Sequence, residues 1–246
     1  MAAKLGQNFL IDKNIAKREV EQAGMTSKDI VLEIGPGNGI LTNLLAEKAK
    51  KVIAIEIDKK LFNNLDVPNN VELINADALK VDFKKLMFNK IVSNLPFQIS
   101  SPVTFKLLEC NFDLAVLIYQ KEFADRMIAK PKSKNYSRLS VNVYYRAECE
   151  MLNVVSKNCF KPQPKVDSAV IRLVPMLYPA FSVIDENFFF GLTTKLFNHR
   201  RKKIKTTLKE YDVELSDLPY LDMRVEELNP EQIGKLSDVL FKRINR

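Results

Sequence analysis

Apolar runs bounded by polar turns recur through the first two thirds of the chain. Ile30–Ile34 is a short β-branched run ending at glycines, the pattern of a buried parallel strand. Leu41, Leu44 and Leu45 fall at helical spacing, which predicts a helix over Ile40–Ala49. The alternation continues with strands over Val52–Ile57, Val71–Ile74, Lys90–Ser93 and Leu114–Tyr119. Helices are predicted over Leu61–Leu65, Pro102–Glu109 and Glu122–Ala129. Strands that alternate with helices imply an α/β fold with a parallel sheet covered on both faces. Val154-Val155 and Ala169–Val174 read as two further strands around a turn holding Pro162 and Pro164. With no crossover helix between them, they should be antiparallel. Pro175–Pro179 marks a boundary, which divides the chain into 1–178 and a small helical domain, 179–246. Helices there are expected over Phe188–Phe197 and Pro230–Phe241, the second opened by Asn229-Pro230 as cap and first residue.

In an open parallel sheet, ligands bind beyond the C-terminal ends of the strands. The polar residues closing the strands are Gly35, Glu56, Asp77 and Asn94, so all four should face one crevice. Gly35-Pro36-Gly37-Asn38-Gly39 lies between a strand and a helix, where glycines permit a tight turn and a close ligand. Glu56 ends the next strand, the position from which a carboxylate bonds the ribose hydroxyls of an adenosine cofactor. NAD and S-adenosylmethionine both satisfy that much. The glycine spacing leans away from NAD, because the third glycine of the dinucleotide fingerprint would fall at Ile40 and here falls at Gly39. Asp77 could accept from the cofactor's adenine amine. It could equally be a solvated loop aspartate.

Asn94-Leu95-Pro96-Phe97 closes the fourth of these strands. An exocyclic amine of adenine is a poor nucleophile because its lone pair is conjugated into the ring. Two acceptors, the Asn94 side-chain oxygen and the Leu95 carbonyl, would favour pyramidal nitrogen and free that pair. Pro96 would keep Leu95 extended, and Phe97 would stack on the base. A plain β-turn with a core phenylalanine is the competing reading.

Composition narrows the picture. No apolar window approaches the roughly 18–20 residues of a membrane span, and Met1-Ala2-Ala3-Lys4 lacks a secretory apolar stretch. Cys110, Cys149 and Cys159 have no metal-ligand spacing, and His199 is the one histidine, so a cytoplasmic, metal-free protein is expected. The net charge of +8 favours polyanionic partners. Residues 181–246 hold 12 Lys/Arg against 11 Asp/Glu, whereas 1–180 hold 26 against 19. Within Lys130–Arg138, the cations Lys132, Lys134 and Arg138 are candidates for phosphate contact, and so are Arg200 and Arg201 in the run His199–Lys205. A solvated charged face remains the alternative for both segments.

Taken together, these segments resemble the ribosomal RNA adenine dimethyltransferases, the KsgA group with its archaeal and eukaryotic relatives. The resemblance starts at Leu5-Gly6-Gln7-Asn8-Phe9-Leu10 and runs through the glycine loop, Glu56, Asp77-Ala78 and Asn94–Ser100. It continues in Lys121-Glu122, Tyr136–Ser140 and Phe160–Ser168, so it spans nearly the whole chain. It implies a Rossmann-like methyltransferase domain that uses S-adenosylmethionine, with a small α-helical C-terminal domain. It also implies cofactor contacts at Asn8, Leu10, Gly35, Gly37, Glu56, Asp77 and Asn94. Phe9 would face the target base opposite Phe97. The implied substrate is a pair of adjacent adenosines in the 3′-terminal hairpin loop of small-subunit rRNA, dimethylated within an immature subunit by a monomer. Gln98 and Ser100-Ser101-Pro102 are similar to the archaeal and eukaryotic branch. Phe97 stands where many members have tyrosine, and the short segment before Leu5 suggests that a basic arm is absent or trimmed. Two other readings stay open: a large-subunit adenine methyltransferase of the antibiotic-resistance type, whose members usually carry isoleucine at the Leu95 position, and a non-catalytic RNA-binding assembly factor.

Overall fold

The computed structural model describes residues 7–211 and 213–245, so Leu5 and Gly6 of the opening motif lie outside the described residues. Along the first part of the chain run β1 (Phe9–Leu10), α1 (Lys13–Gln22), β2 (Ile30–Ile34), α2 (Ile40–Ala46), β3 (Lys51–Glu56), α3 (Lys59–Asn64), β4 (Val71–Asn75), β5 (Lys90–Asn94), α4 (Ser100–Leu107) and β6 (Leu114–Gln120). Then follow α5 (Lys121–Met127), α6 (Arg138–Arg146), β7 (Ala147–Val155), β8 (Phe160–Lys161), β9 (Ser168–Pro175), α7 (Glu186–Asn198), α8 (Ile204–Leu208) and α9 (Pro230–Ile244). Among the described residues no helix is long and apolar enough to cross a membrane, and no group of three or more His, Cys, Asp or Glu could hold a metal ion.

Two compact units divide the chain, and they do not part at residue 178. Residues 125–148 join 176–246 in the second unit, while 149–175 return to the first. Side-chain packing explains the difference. Tyr136 and Val141 sit in one apolar cluster with Phe189, Leu192, Leu196 and Ile233. Tyr145 is ringed by Phe181, Phe189 and Phe190 at centroid distances of 4.9, 5.1 and 5.5 Å. Aromatic burial of this size outweighs proximity along the chain.

The first unit is a Rossmann-like sheet of seven strands in the order β4-β3-β2-β5-β6-β9-β7. β2 to β6 pair in parallel, and β9 runs antiparallel to β6. Adjacent residues such as Val31 and Leu32 are both fully buried, as expected where helices cover both faces. β1 and β8 form a separate antiparallel pair, Phe9 opposite Lys161. These two-residue strands, together with α1 and α6, have no counterpart among the elements predicted from periodicity. α1 buries Ala16, Glu19 and Val20, a narrow stripe that includes a carboxyl, and Asp12 caps it by accepting from the Asn14 and Ile15 amides. α6 opens at Ser137, whose amide donates to Ser140 Oγ at 3.0 Å. α2 stops at Ala46, short of the predicted Ala49, and Asn70 Nδ2 donates to the carbonyls of both residues.

The opposite end of the sheet from the strand C-termini is tied by Asp29. Its carboxylate accepts from Thr26 N at 2.6 Å and Thr26 Oγ1 at 2.9 Å, while the other oxygen accepts from Asn89 Nδ2 at 2.8 Å. Lys90 Nζ lies 3.2 Å away with only 12% of its side chain exposed. Burial opposes ionisation of Asp29, but these donors outweigh it and lower its pKa from 3.8 to about 2. The depressed value means stability that is full above the ordinary carboxylate range and is lost as pH falls toward 2. Asp29→Asn should therefore cost about 2 kcal/mol at neutral pH by denaturant titration. The gap from the parent should narrow as pH falls from about 4 to about 2. An unchanged gap at low pH would assign the loss to shape rather than charge.

Candidate active site

A cleft of about 960 Å³, counting the solvent at its mouth, opens beyond the C-terminal ends of β2, β3, β4 and β5. Gly35, Glu56, Asp77 and Asn94 all line it, as do Asn8, Phe9, Leu10, Gly37 and Pro96. The strand-end residues singled out by pattern thus share one wall.

The glycine turn supplies shape. Gly35 has φ +76°, and a Cβ there would lie 3.0 Å from Pro96 Cγ. Gly37 has φ +56°, and a Cβ there would lie 2.7 Å from the Phe9 ring. L side chains rarely adopt that backbone region, so both positions are closed to them twice over. Phe9 therefore lies on the glycine turn. Phe97 lies in a 3-10 turn outside the cleft lining, edge-on to Phe160 with centroids 6.3 Å apart. Leu95 is 1% exposed and also outside the lining.

Two asparagines join the reacting end to the β1–β8 pair. Asn8 Nδ2 donates to the Pro162 carbonyl at 2.7 Å. Asn94 Nδ2 donates to the Asn8 carbonyl at 3.3 Å. The amide of Asn94 is thereby oriented, and its Oδ1 is buried in the cleft wall with no hydrogen-bond partner among the described residues. A buried acceptor without a donor is costly, which makes it a place for an incoming N–H.

Glu56 is held from two sides: Oε1 accepts from Asp58 N at 2.8 Å and Oε2 from Gly37 N at 3.3 Å. Burial raises its pKa, against these amide bonds. Asp77 Oδ1 accepts from Leu79 N at 3.0 Å, bracing its own loop. Glu33 also lines the cleft, and motif spacing gave no sign of it, because it lies inside an apolar strand. Among the described residues, the lining thus carries three carboxyls, Glu33, Glu56 and Asp77, and no Lys, Arg or His. A pyrophosphate would meet repulsion there, whereas an adenosine cofactor with a cationic tail fits the glycine cradle, the ribose-facing carboxylate and the charge.

The basic candidates belong to the second unit and differ among themselves. Arg200 Nε meets Glu226 at 2.6 Å, and its two terminal nitrogens donate to the Lys134 and Ser133 carbonyls at 2.7 and 2.9 Å. Its guanidinium is occupied as a staple, contrary to the expected phosphate contact. Arg138 donates to Thr194 Oγ1 at 3.3 Å. Lys132 uses its backbone amide on the Glu226 carbonyl, whereas Arg201 is exposed.

A parallel sheet with a left-handed glycine turn after β2, a carboxylate closing β3 and an Asn-Leu-Pro-Phe turn closing β5 defines an S-adenosylmethionine-dependent methyltransferase. More narrowly, the chain belongs to the ribosomal RNA adenine dimethylase family, whose model matches residues 1–242. It is 47% identical over 247 residues to a probable ribosomal RNA small subunit methyltransferase A of Methanococcus aeolicus, covering 98% of this chain and 90% of that one. It is 48% identical to the same kind of protein from Thermococcus gammatolerans, over 93% of this chain and 85% of the relative. Among solved structures, a dimethyladenosine transferase from Plasmodium falciparum superimposes with a TM-score of 0.80 at 30% identity, over 96% of this chain and 98% of its own. The 23S rRNA methyltransferase ErmE gives 0.70 at 29% identity, over 97% and 100%.

Gly35→Ala should weaken S-adenosylmethionine binding at least about tenfold by calorimetry, since it adds both backbone strain of about 1–2 kcal/mol and a clash with Pro96. Gly24→Ala is the matched control, because φ is +53° there but nothing lies within 4 Å of the new Cβ. It should lower thermal stability yet leave affinity unchanged.

Proposed function

We propose that this protein dimethylates the N6 amines of two adjacent adenosines in the 3′-terminal hairpin loop of small-subunit rRNA. Its substrate is rRNA within an immature subunit in the cytoplasm, on which it works as a monomer. The observation that carries the reading is the oriented Oδ1 of Asn94 in the cleft wall, which has no partner among the described residues. Asn8, Leu10, Gly35, Gly37, Glu56, Asp77 and Asn94 would hold S-adenosylmethionine, which when bound supplies a methyl group on a cationic sulfur. Asn94 Oδ1 accepts one amine hydrogen of adenine and the Leu95 carbonyl the other, drawing the nitrogen lone pair out of conjugation. Phe97 stacks on the base, with Phe160 bracing its edge. No strong base is needed, since the amine becomes acidic only once it is methylated. The turn works by positioning and by preorganised dipoles. Lys132, Lys134, Arg138 and Arg201 supply phosphate contacts outside the loop.

The structural likeness to ErmE supports a second reading, a large-subunit target. The higher identity to the archaeal small-subunit relatives favours the first. The deciding experiment incubates the protein with immature small subunits and, separately, with large-subunit rRNA, then maps modified nucleotides by mass spectrometry. Two adjacent dimethyladenosines are expected in the small-subunit hairpin alone. A large-subunit product would select the second reading, and no product from either RNA would indicate a non-catalytic assembly factor. Asn94→Ala should slow methyl transfer by about a hundredfold or more. Phe97→Ala should lower it by about ten- to a hundredfold through lost stacking while cofactor affinity holds. Unimpaired turnover in either variant would remove the role assigned to that side chain.

A further inference from the structure

The turn that carries Asp77 hangs from an edge strand. β4 is the outermost strand on its side of the sheet, and its pairing with β3 closes where Ala76 N donates to the Glu56 carbonyl at 3.1 Å. Beyond that point Lys80 N and Val81 N both donate to the Asp77 carbonyl, at 2.8 and 3.2 Å, which makes a single turn over 77–81. One turn has little stability of its own, because fixing it costs more backbone freedom than its bonds return. Its outward carbonyls are also the groups that a helical turn leaves unpaired at its end.

Lys106 meets two of those carbonyls. Its Nζ donates to the Ala78 carbonyl at 3.2 Å and to the Leu79 carbonyl at 2.9 Å, and it stands 4.5 Å from the centroid of the buried Phe83 ring. These partners are neutral, the negative ends of two peptide dipoles and the face of a ring, and each favours the ammonium. Lys106 belongs to α4, the helix that follows the Asn94–Phe97 turn. α4 is itself anchored, since Thr104 Oγ1 lies 2.7 Å from the hydroxyl of Tyr119 on β6, and both residues are fully buried. The lysine side chain thus crosses from a helix fixed on the middle of the sheet to a turn at its edge. Asp77 and Ala78 line the cleft, whereas Lys106 does not.

We propose that Lys106 is a positioning residue for cofactor recognition: by clamping the Ala78 and Leu79 carbonyls, it sets where the Asp77 carboxylate stands against the adenine of the cofactor. Leu79 is the connecting residue, because its amide donates to Asp77 Oδ1 at 3.0 Å while its carbonyl accepts from Lys106. That amide bond commits Oδ1, which makes Oδ2 the atom that accepts from the adenine amine. The inference rests on Asp77 as the acceptor of that amine and adds what fixes its aim. Preference for adenine then depends on a side chain that touches neither cofactor nor substrate.

The test is calorimetry of S-adenosylhomocysteine and of its inosine counterpart, in which a carbonyl replaces the amine, binding to the full chain. The parent should prefer the adenine form by about ten- to a hundredfold, the worth of one hydrogen bond to a charged acceptor. Lys106→Met keeps an apolar stem beside Phe83 and removes every donor, so the preference should fall to about threefold or less through weaker binding of the adenine form. A merely structural role would lower the melting temperature or the active fraction and leave the ratio of the two affinities unmoved. In an Asp77→Ala background, Lys106→Met should change the ratio no further. A parent ratio that survives in Lys106→Met overturns the inference and leaves the Asp77 contact standing, and a further fall in the Asp77→Ala background overturns the route through Asp77. A parent that binds neither ligand, or both equally, overturns the inference together with the contact it rests on. Lys106→Gln, whose shorter neutral arm does not span both carbonyls, gives the same reading where the methionine prevents folding.

Discussion

The contact between the Pro96 ring and the backbone of Gly35 is the constraint around which the site is arranged. Gly35 ends the strand of the glycine turn and Pro96 follows the neighbouring strand, so their approach sets the distance between the two halves of the chemistry. No side chain fits at Gly35, since a Cβ would meet the ring at 3.0 Å in a left-handed backbone region. Proline suits the other side because its fixed φ holds the turn and keeps the preceding residue extended. From this contact the remaining geometry follows. Leu95 is driven into the core, Asn94 is left at the strand end, and Asn8 fixes its amide through a single hydrogen bond.

That last bond couples two kinds of secondary structure. β1 is only two residues long and could not hold a position by strand pairing alone. Asn8 anchors it from either side, donating to Pro162 beyond β8 and accepting from Asn94 at the end of β5. A short strand at the rim of the cleft thus acquires the rigidity of the central sheet. It carries Phe9 onto the glycine turn and Leu10 into the core.

Much of this was legible in the sequence, and the exceptions have definite causes. Parallel strands buried on both faces leave continuous apolar runs, so β2, β3, β5 and β6 stood out, and the polar residues closing β2, β3 and β5 marked the cleft. α1 escaped because its buried stripe is two small or β-branched residues and a carboxyl, a face that reads as solvated. α6 escaped because a basic loop with Ser137 precedes it and its packing partners lie far downstream, from Phe181 onward, a tertiary relation invisible to periodicity. Glu33 escaped for the opposite reason: a charged residue inside a strand looks like an interruption, and only the fold shows that it lines the cleft. Arg200 shows the converse error, since a dense run of cations looks alike whether its members face solvent or, as here, one of them ties a loop to a turn.

The distribution of charge completes the argument. A chain with a net charge of +8 attracts a polyanion, yet among the described residues its cleft lining contains three carboxyls and no cationic side chain. A phosphate backbone drawn to such a protein gains nothing by entering that cleft and is repelled from it. A neutral base can enter once it leaves its stack, and a cationic cofactor is favoured there. The attraction that gathers RNA and the repulsion that keeps its backbone out therefore select for the same event, an unstacked base entering the cleft.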